Sequence, residues 1–367
     1  MNRGIGINLN ELAASVADFG TILPVLFAVS LVADFHIGPA LIFLAAWYAI
    51  TGVYFGIPMP VEPMKAIGAI VIAGGASKGE IAASGIIIGV LFLLFGIFRV
   101  MKYLRKIIPL PVIRGIQLGL SLILLKTSLM FFKDDPVSAS AGVTVILLFF
   151  ILGRWRGVPD FSALIIIAGG IGLTLFYNGM PEIKGLHFGL VNFSLPDDFI
   201  ISSWRLVLPQ IPLTIANAIL ATSLLAADLF KKDITDDSLS RSIGLMNIVS
   251  APFGGFPMCH GAGGMAAHYR FGGRTGGTNI IAAVILLIFA LFFTDPAAIA
   301  LIPAGIFASL LIFVALELGK HGLRSQVPAL SVVIAVTALV FDMTTGFVLG
   351  LLLAAAGEKF KIPSLYS

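Results

Sequence analysis

The sequence predicts an all-α polytopic membrane protein of about fourteen transmembrane spans, built as a seven-plus-seven inverted repeat with two broken helices, spans 3 and 10. Three observations lead there. The 367 residues are 58% apolar and only 11% charged, against about 25% charged in soluble domains. Lysine and arginine are shared unequally between alternate loops. The same helix-breaking interruption also occurs twice, near Pro58 and near Pro257.

In chain order the apolar runs place spans at 10–32, 37–55, 58–74, 80–99, 108–130, 137–152 and 160–177. The second series falls at 204–230, 239–252, 257–269, 276–293, 297–318, 326–341 and 342–357. The breaks between runs are mostly under ten residues, which leaves no room for a soluble domain. With both termini cytoplasmic, Arg99, Lys102, Arg105, Lys106, Arg154, Arg156 and nine further basic residues, from Lys231 to Lys361, lie inside. The outward loops keep Lys78, Lys133, Lys184 and Arg205. This is the asymmetry of a cell-membrane protein obeying the positive-inside rule, and moving the register by one span would destroy it. It also accounts for the pI of about 9.2 without a nucleic-acid partner. No cleavable leader is evident, and one cysteine rules out an internal disulfide.

An internal repeat links the halves, taken as residues 1–180 and 198–367. IPMPVEPMKAIGA around Pro58 returns about 199 residues later as FPMCHGAGGMAAH, LVADF at 31–35 as LAADLF at 225–230, and IIPLP at 107–111 as LIPAG at 301–305. Seven spans per half is an odd number, so the second copy enters the membrane upside down. Transporters of this kind place substrate at the midplane, between interrupted helices at matching positions of the two halves.

The interruptions carry the chemistry. Pro58, Pro60 and Pro63 demand an extended segment with a helix starting near Pro63. Gly254, Gly255 and Pro257 impose the same before a helix starting near Cys259 or His260. A helix start at membrane depth offers free N–H groups and the positive end of a dipole, a setting for an anion. Candidate contacts are therefore Glu62, Met64 and Lys65 on one side and Cys259, His260, Gly261, Ala262, Gly263 and Gly264 on the other. Lys65 either meets the substrate or pairs with Glu62 three residues earlier. Glu62 is either a protonated donor and coupling site or the partner of Lys65. His260 is a donor or a packing group, and Cys259 a small apolar filler. No second thiol accompanies them, so neither a metal set nor a cofactor is expected. Asp18 and Thr21 in span 1, and Gln210, Thr214 and Asn217 in span 8, add polar groups facing the bundle interior. Asp34, Asp228, Arg114, Lys126 and Glu317 are assigned to topology and helix ends. Gly85, Gly89, Gly346 and Gly350 read as close-packing faces.

At PMPVEPMKAIGAI (58–70) and PMCHGAGGMAAHYRFGGRTG (257–276) the sequence resembles the molybdate transporter family, a relative of the sulfate permease superfamily. DFGTILPVLFAVS (18–30) and LPQIPLTIANAILATSLLAADLF (208–230) extend the resemblance over most of the chain. It implies a core and a gate domain, uptake of a tetrahedral oxyanion (molybdate first, tungstate or sulfate close behind), no soluble regulatory domain, and pairing into a homodimer through the gate. One departure stands out: Glu62 occupies a position where the family commonly carries glutamine. Two other readings remain, a nucleobase transporter of the same fold and a non-transporting membrane scaffold. Neither paired carboxylates nor a triad supports an enzyme.

Overall fold

The structure is a computed structural model that describes residues 5–33, 35–104, 109–156, 161–179, 189–292 and 302–359. Asp34 and the basic residues Arg105, Lys106, Lys184 and Lys361 lie outside the described residues. Among those described, seven helices are long and apolar enough to cross a bilayer, and five shorter apolar helices accompany them.

The first half runs α1 (Leu9–Ser15), α2 (Phe19–Val32), α3 (Ile37–Phe55), β1 (Glu62–Pro63), α4 (Lys65–Gly74) and α5 (Lys78–Ile97). A short α6 (Met101–Leu104) then leads to α7 (Leu110–Asp134), α8 (Pro136–Arg156) and α9 (Ser162–Asn178). The second half opens with α10, a long helix over Asp197–Phe230. It continues with α11 (Asp236–Ser250), β2 (Met258–Cys259), α12 (Ala262–Arg270), α13 (Gly277–Phe292), α14 (Ala304–Gly322), α15 (Pro328–Val340) and α16 (Met343–Lys359).

Two elements differ from expectation. The run expected as one span at 10–32 turns at Val16–Asp18 and restarts as α2. Asp18 sits at that restart without capping it by its side chain; its carboxylate instead accepts the Tyr48 hydroxyl at 3.3 Å. In α10, two π-helical stretches, Ser203–Val207 and Thr214–Ala221, flank the turn holding Pro209 and Pro212. Proline removes i→i−4 donors, and a wider turn absorbs the mismatch.

Packing relates the halves crosswise: α3 lies on α13, α5 on α11, and α7 on α14. Close approach depends on missing side chains, as it does where helices meet without a hydrophobic drive from water. A Cβ on Gly89 would sit 2.8 Å from the Ile248 backbone nitrogen, and one on Gly346 2.8 Å from the Ile334 carbonyl oxygen. The expected glycine faces therefore do bring backbones together. Outside the apolar spans, Asp135 joins α7 to α8 and accepts N–H groups from Ser138 and Gly305. Burial pushes its carboxyl up, but these hydrogen bonds outweigh burial and hold it below the ordinary carboxylate range.

Candidate functional site

Gly56 ends α3 in the left-handed region (φ 64°) and turns the chain into an extended segment. That segment cannot satisfy its own backbone, so side chains do it. Asn279 of α13 accepts the Met59 N–H at 3.0 Å and donates to the Met59 carbonyl at 2.6 Å. Asn247 of α11 does the same for Met258, with 2.9 and 2.7 Å. Each asparagine completes the hydrogen bonding of a peptide strand in a dry interior. The two extended segments then pair antiparallel, Glu62 opposite Cys259 and Pro63 opposite Met258. The Met64 N–H closes on the Pro257 carbonyl at 2.8 Å. Helices α4 and α12 leave this two-residue ribbon in opposite senses, so their N-termini lie side by side.

At that junction Lys65 Nζ lies 2.8 Å from Glu62 Oε2. The Gly264 N–H donates to Glu62 Oε1 at 3.2 Å. Gln210 Oε1 caps α4 by accepting the Ala66 N–H at 2.9 Å, and its amide nitrogen donates to Thr214 Oγ1 at 3.0 Å. Gly261 and Gly264 make room for the carboxylates, because a Cβ on Gly264 would lie 2.6 Å from an oxygen of Asp18 and of Glu62 alike, and one on Gly261 would meet the Glu62 carboxylate. A cavity of about 400 Å³ begins here and runs toward the Gly322 end of α14. Glu62, Lys65, Cys259, Ala262, Gly263, Gln210 and Asn217 line it.

Seven of the fourteen sequence-predicted residues thus meet at one wall. The others take different places. His260 is fully buried, one ring nitrogen 2.9 Å from the Pro60 carbonyl and the other 3.0 Å from Ser242 Oγ. Met64, Gly261, Gly264, Thr214 and Asp18 sit behind the lining, and Thr21 lies half-buried on the first turn of α2. The wider turn at Thr214–Ala221 explains why Gln210 and Asn217 reach the cavity while Thr214 does not. Two residues assigned to helix ends belong to the site instead: Arg114 and Glu317 line the cavity together with His321. Arg114 Nη1 donates to Gln117 at 3.1 Å, while its buried Nε has no partner. Helix-end position in sequence hid them, because the cavity reaches that end of the bundle. Among the described residues no cluster of His, Cys, Asp and Glu could hold a metal ion.

Fold and cavity together define a multi-pass, mostly helical membrane protein with a pocket where α4 and α12 begin. The family described as "Molybdate transporter of MFS superfamily" matches residues 10–124 and 202–318, and the chain belongs to this molybdate transporter family. Molybdate transporter 2 of Arabidopsis thaliana is 33% identical over 84% of this chain and 78% of its own length. Among solved structures, the transmembrane domain of the cyanobacterium bicarbonate transporter BicA aligns with a TM-score of 0.66 at 19% identity, covering 93% of this chain and 98% of that one. Murine Slc26a9, an anion transporter in the inward-facing state, gives 0.71 at 14% identity, covering 96% and 68%. These two likenesses are of fold. The relatives are transporters rather than enzymes.

Proposed function

We propose that the protein imports a tetrahedral oxyanion across the cell membrane by alternating access, with molybdate as the leading substrate and tungstate or sulfate close behind. The anion binds where α4 and α12 begin, held by Lys65 and by first-turn N–H groups of both helices. One observation carries this reading: two helix N-termini, each preceded by an extended segment, meet beside a lysine on one cavity. Each offers the partial positive charge of a helix start, and in a low-dielectric interior a tetrahedral dianion is the natural guest.

The molecule is read as fourteen spans, in inverted repeats over 1–180 and 198–367, with both termini cytoplasmic. The crosswise packing supports that symmetry, since exchanging the halves turns the α3–α13 contact into the α11–α5 contact. Spans one to four and eight to eleven form the core, and the rest the gate. In this topology Arg114 and His321 lie at the cytoplasmic end, so the cavity is the inward access path. The nucleobase reading needs Glu62 as a free acceptor; its engagement with Lys65 disfavours that.

The test is counterflow of labelled molybdate, sulfate and uracil in proteoliposomes, with Lys65→Ala beside the native protein. Truncating one member of a buried charge pair costs about 2–5 kcal/mol, roughly thirtyfold and upward in affinity. We expect molybdate exchange to fall by at least that factor while the variant remains folded. Undiminished exchange, or exchange of uracil alone, removes the oxyanion cradle.

A further inference from the structure

The Glu62 carboxylate occupies the ground on which an anion would sit. Its Oε2 takes the Lys65 ammonium at 2.8 Å, and its Oε1 takes the Gly264 N–H at 3.2 Å. These are the two kinds of donor, a lysine and a first-turn amide of α12, that the cradle has for an oxyanion. Glu62 is only 1% exposed, yet it lines the cavity next to Lys65, whose side chain is 19% exposed. The absent Cβ of Gly261 and Gly264 makes the space the carboxylate fills. We propose that Glu62 is a tethered occupant of the oxyanion's own place, which an incoming oxyanion displaces with uptake of a proton. This rests on the oxyanion reading and adds a role that reading does not contain.

Electrostatics sets the direction. An Asp18 oxygen and a Glu62 oxygen each lie 2.6 Å from the same point, the Cβ position of Gly264, so the two carboxylates are neighbours. With both ionised, Lys65 is outnumbered, and a dianion meets net negative charge in a medium that screens poorly. Adding one proton to Glu62 removes that net negative charge and leaves Lys65 balanced against Asp18. The proton comes from hydronium of the bulk solvent reaching the cavity, which leaves as water, and bonds to a Glu62 oxygen, leaving the Lys65 ammonium and the Gly264 N–H without their acceptor. The oxyanion accepts both, and the new carboxyl O–H is a further donor to it. No bond other than O–H forms, and the anion enters with one compensating positive charge.

Other groups face the same junction, and each has its own element. Asp18 stands at the start of α2 and Tyr48 on α3, its hydroxyl on Asp18. Cys259 lies on β2, His260 follows it, and His268 is on α12, all within electrostatic reach of Glu62. Glu317 and His321 on α14 and Arg114 on α7 line the far wall. Of these, Glu62 alone both pairs with Lys65 and accepts an α12 N–H, which is why the linked proton is assigned to it.

The experiment is calorimetric titration of the purified full chain with molybdate, and in parallel with sulfate, which stays a dianion throughout. Runs span about pH 6 to about pH 8, in buffers of different ionisation enthalpy, for native protein and Glu62→Gln. For the native protein we expect affinity to weaken about tenfold per pH unit as pH rises, with about one proton taken up per anion bound. Glu62→Gln should bind more tightly at the upper end, with the slope and the proton uptake abolished. Native binding without proton uptake overturns the proposal, whether or not the variant folds. So does a variant that keeps the native slope, which would move the proton elsewhere. If neither protein binds either anion at any pH, the oxyanion reading falls and takes this inference with it.

Discussion

The pair Lys65 and Glu62 shows what a local pattern can and cannot convey. Three residues apart at a helix start, they are within reach of each other, and the structure joins them at 2.8 Å. That the same carboxylate also takes an amide of α12, 202 residues away, is invisible to spacing. The two asparagines behind the ribbon were missed for the same reason. Asn279 reaches Met59 across 220 residues, and in sequence it is one polar group near the start of an apolar run. A polar side chain inside an apolar helix is the signal that could have found it. Its removal exposes a specific debt in hydrogen bonding: Met59 keeps an N–H and a C=O with no water to take them. Each unsatisfied buried group costs about 1–3 kcal/mol. Asn279→Ala and Asn247→Ala should therefore both lower the thermal midpoint of the detergent-solubilised protein clearly. Asn217→Ala, on the cavity wall, should leave the midpoint nearly in place and act on anion affinity. Equal midpoints for all three would refute the clamping role.

At the scale of elements, the interrupted segments were the most legible part of the chain. Pro58, Pro60 and Pro63 forbid a regular helix, and the glycine run before α12 disfavours one. The extended segments are there but run further than expected: Pro63 and Cys259, read as helix starts, are the last residues of β1 and β2, and α4 and α12 begin at Lys65 and Ala262. The turn inside the first span and the π-helical stretches of α10 were not legible. The first has a tertiary cause, an aspartate drawn toward a tyrosine; the second is local, two prolines whose missing donors a wider turn absorbs, and apolar runs alone do not reveal it. Glycine roles along α12 also separate only in three dimensions. Gly263 has nothing within 4 Å of its Cβ position, whereas Gly264 has two carboxylate oxygens at 2.6 Å. Gly263→Ala should accordingly fold as the native protein does, its new methyl group standing in the cavity and weakening molybdate binding. Gly264→Ala must push Asp18 and Glu62 apart, so it should lose stability and binding together. Thermal melts and binding isotherms on both variants check this, and a stable, fully binding Gly264→Ala would contradict the geometry.

For the whole molecule, the informative feature is that α4 separates two cavities. Its N-terminus faces the site cavity of about 400 Å³. Its C-terminal residue Gly74 faces another of about 310 Å³, lined also by Lys126, Arg205 and Asp342. A core carrying α4 past a gate built on α7 and α14 would enlarge one opening as it closes the other, the rigid-body form of alternating access. The chain supplies its own reporter of that exchange. Cys259 is its single cysteine, it lines the site cavity, and it is 7% exposed. A thiol reagent small enough to enter should therefore label one position only, at a rate set by how long the cavity stays open. In the proposed site molybdate would fill the space beside Cys259, so saturating molybdate should slow labelling several-fold, and labelling in turn should block exchange. In vesicles of defined orientation, an impermeant reagent should label from the side on which Arg114 and His321 open. Labelling that is indifferent to molybdate would place Cys259 off the path and dissociate the cavity from transport.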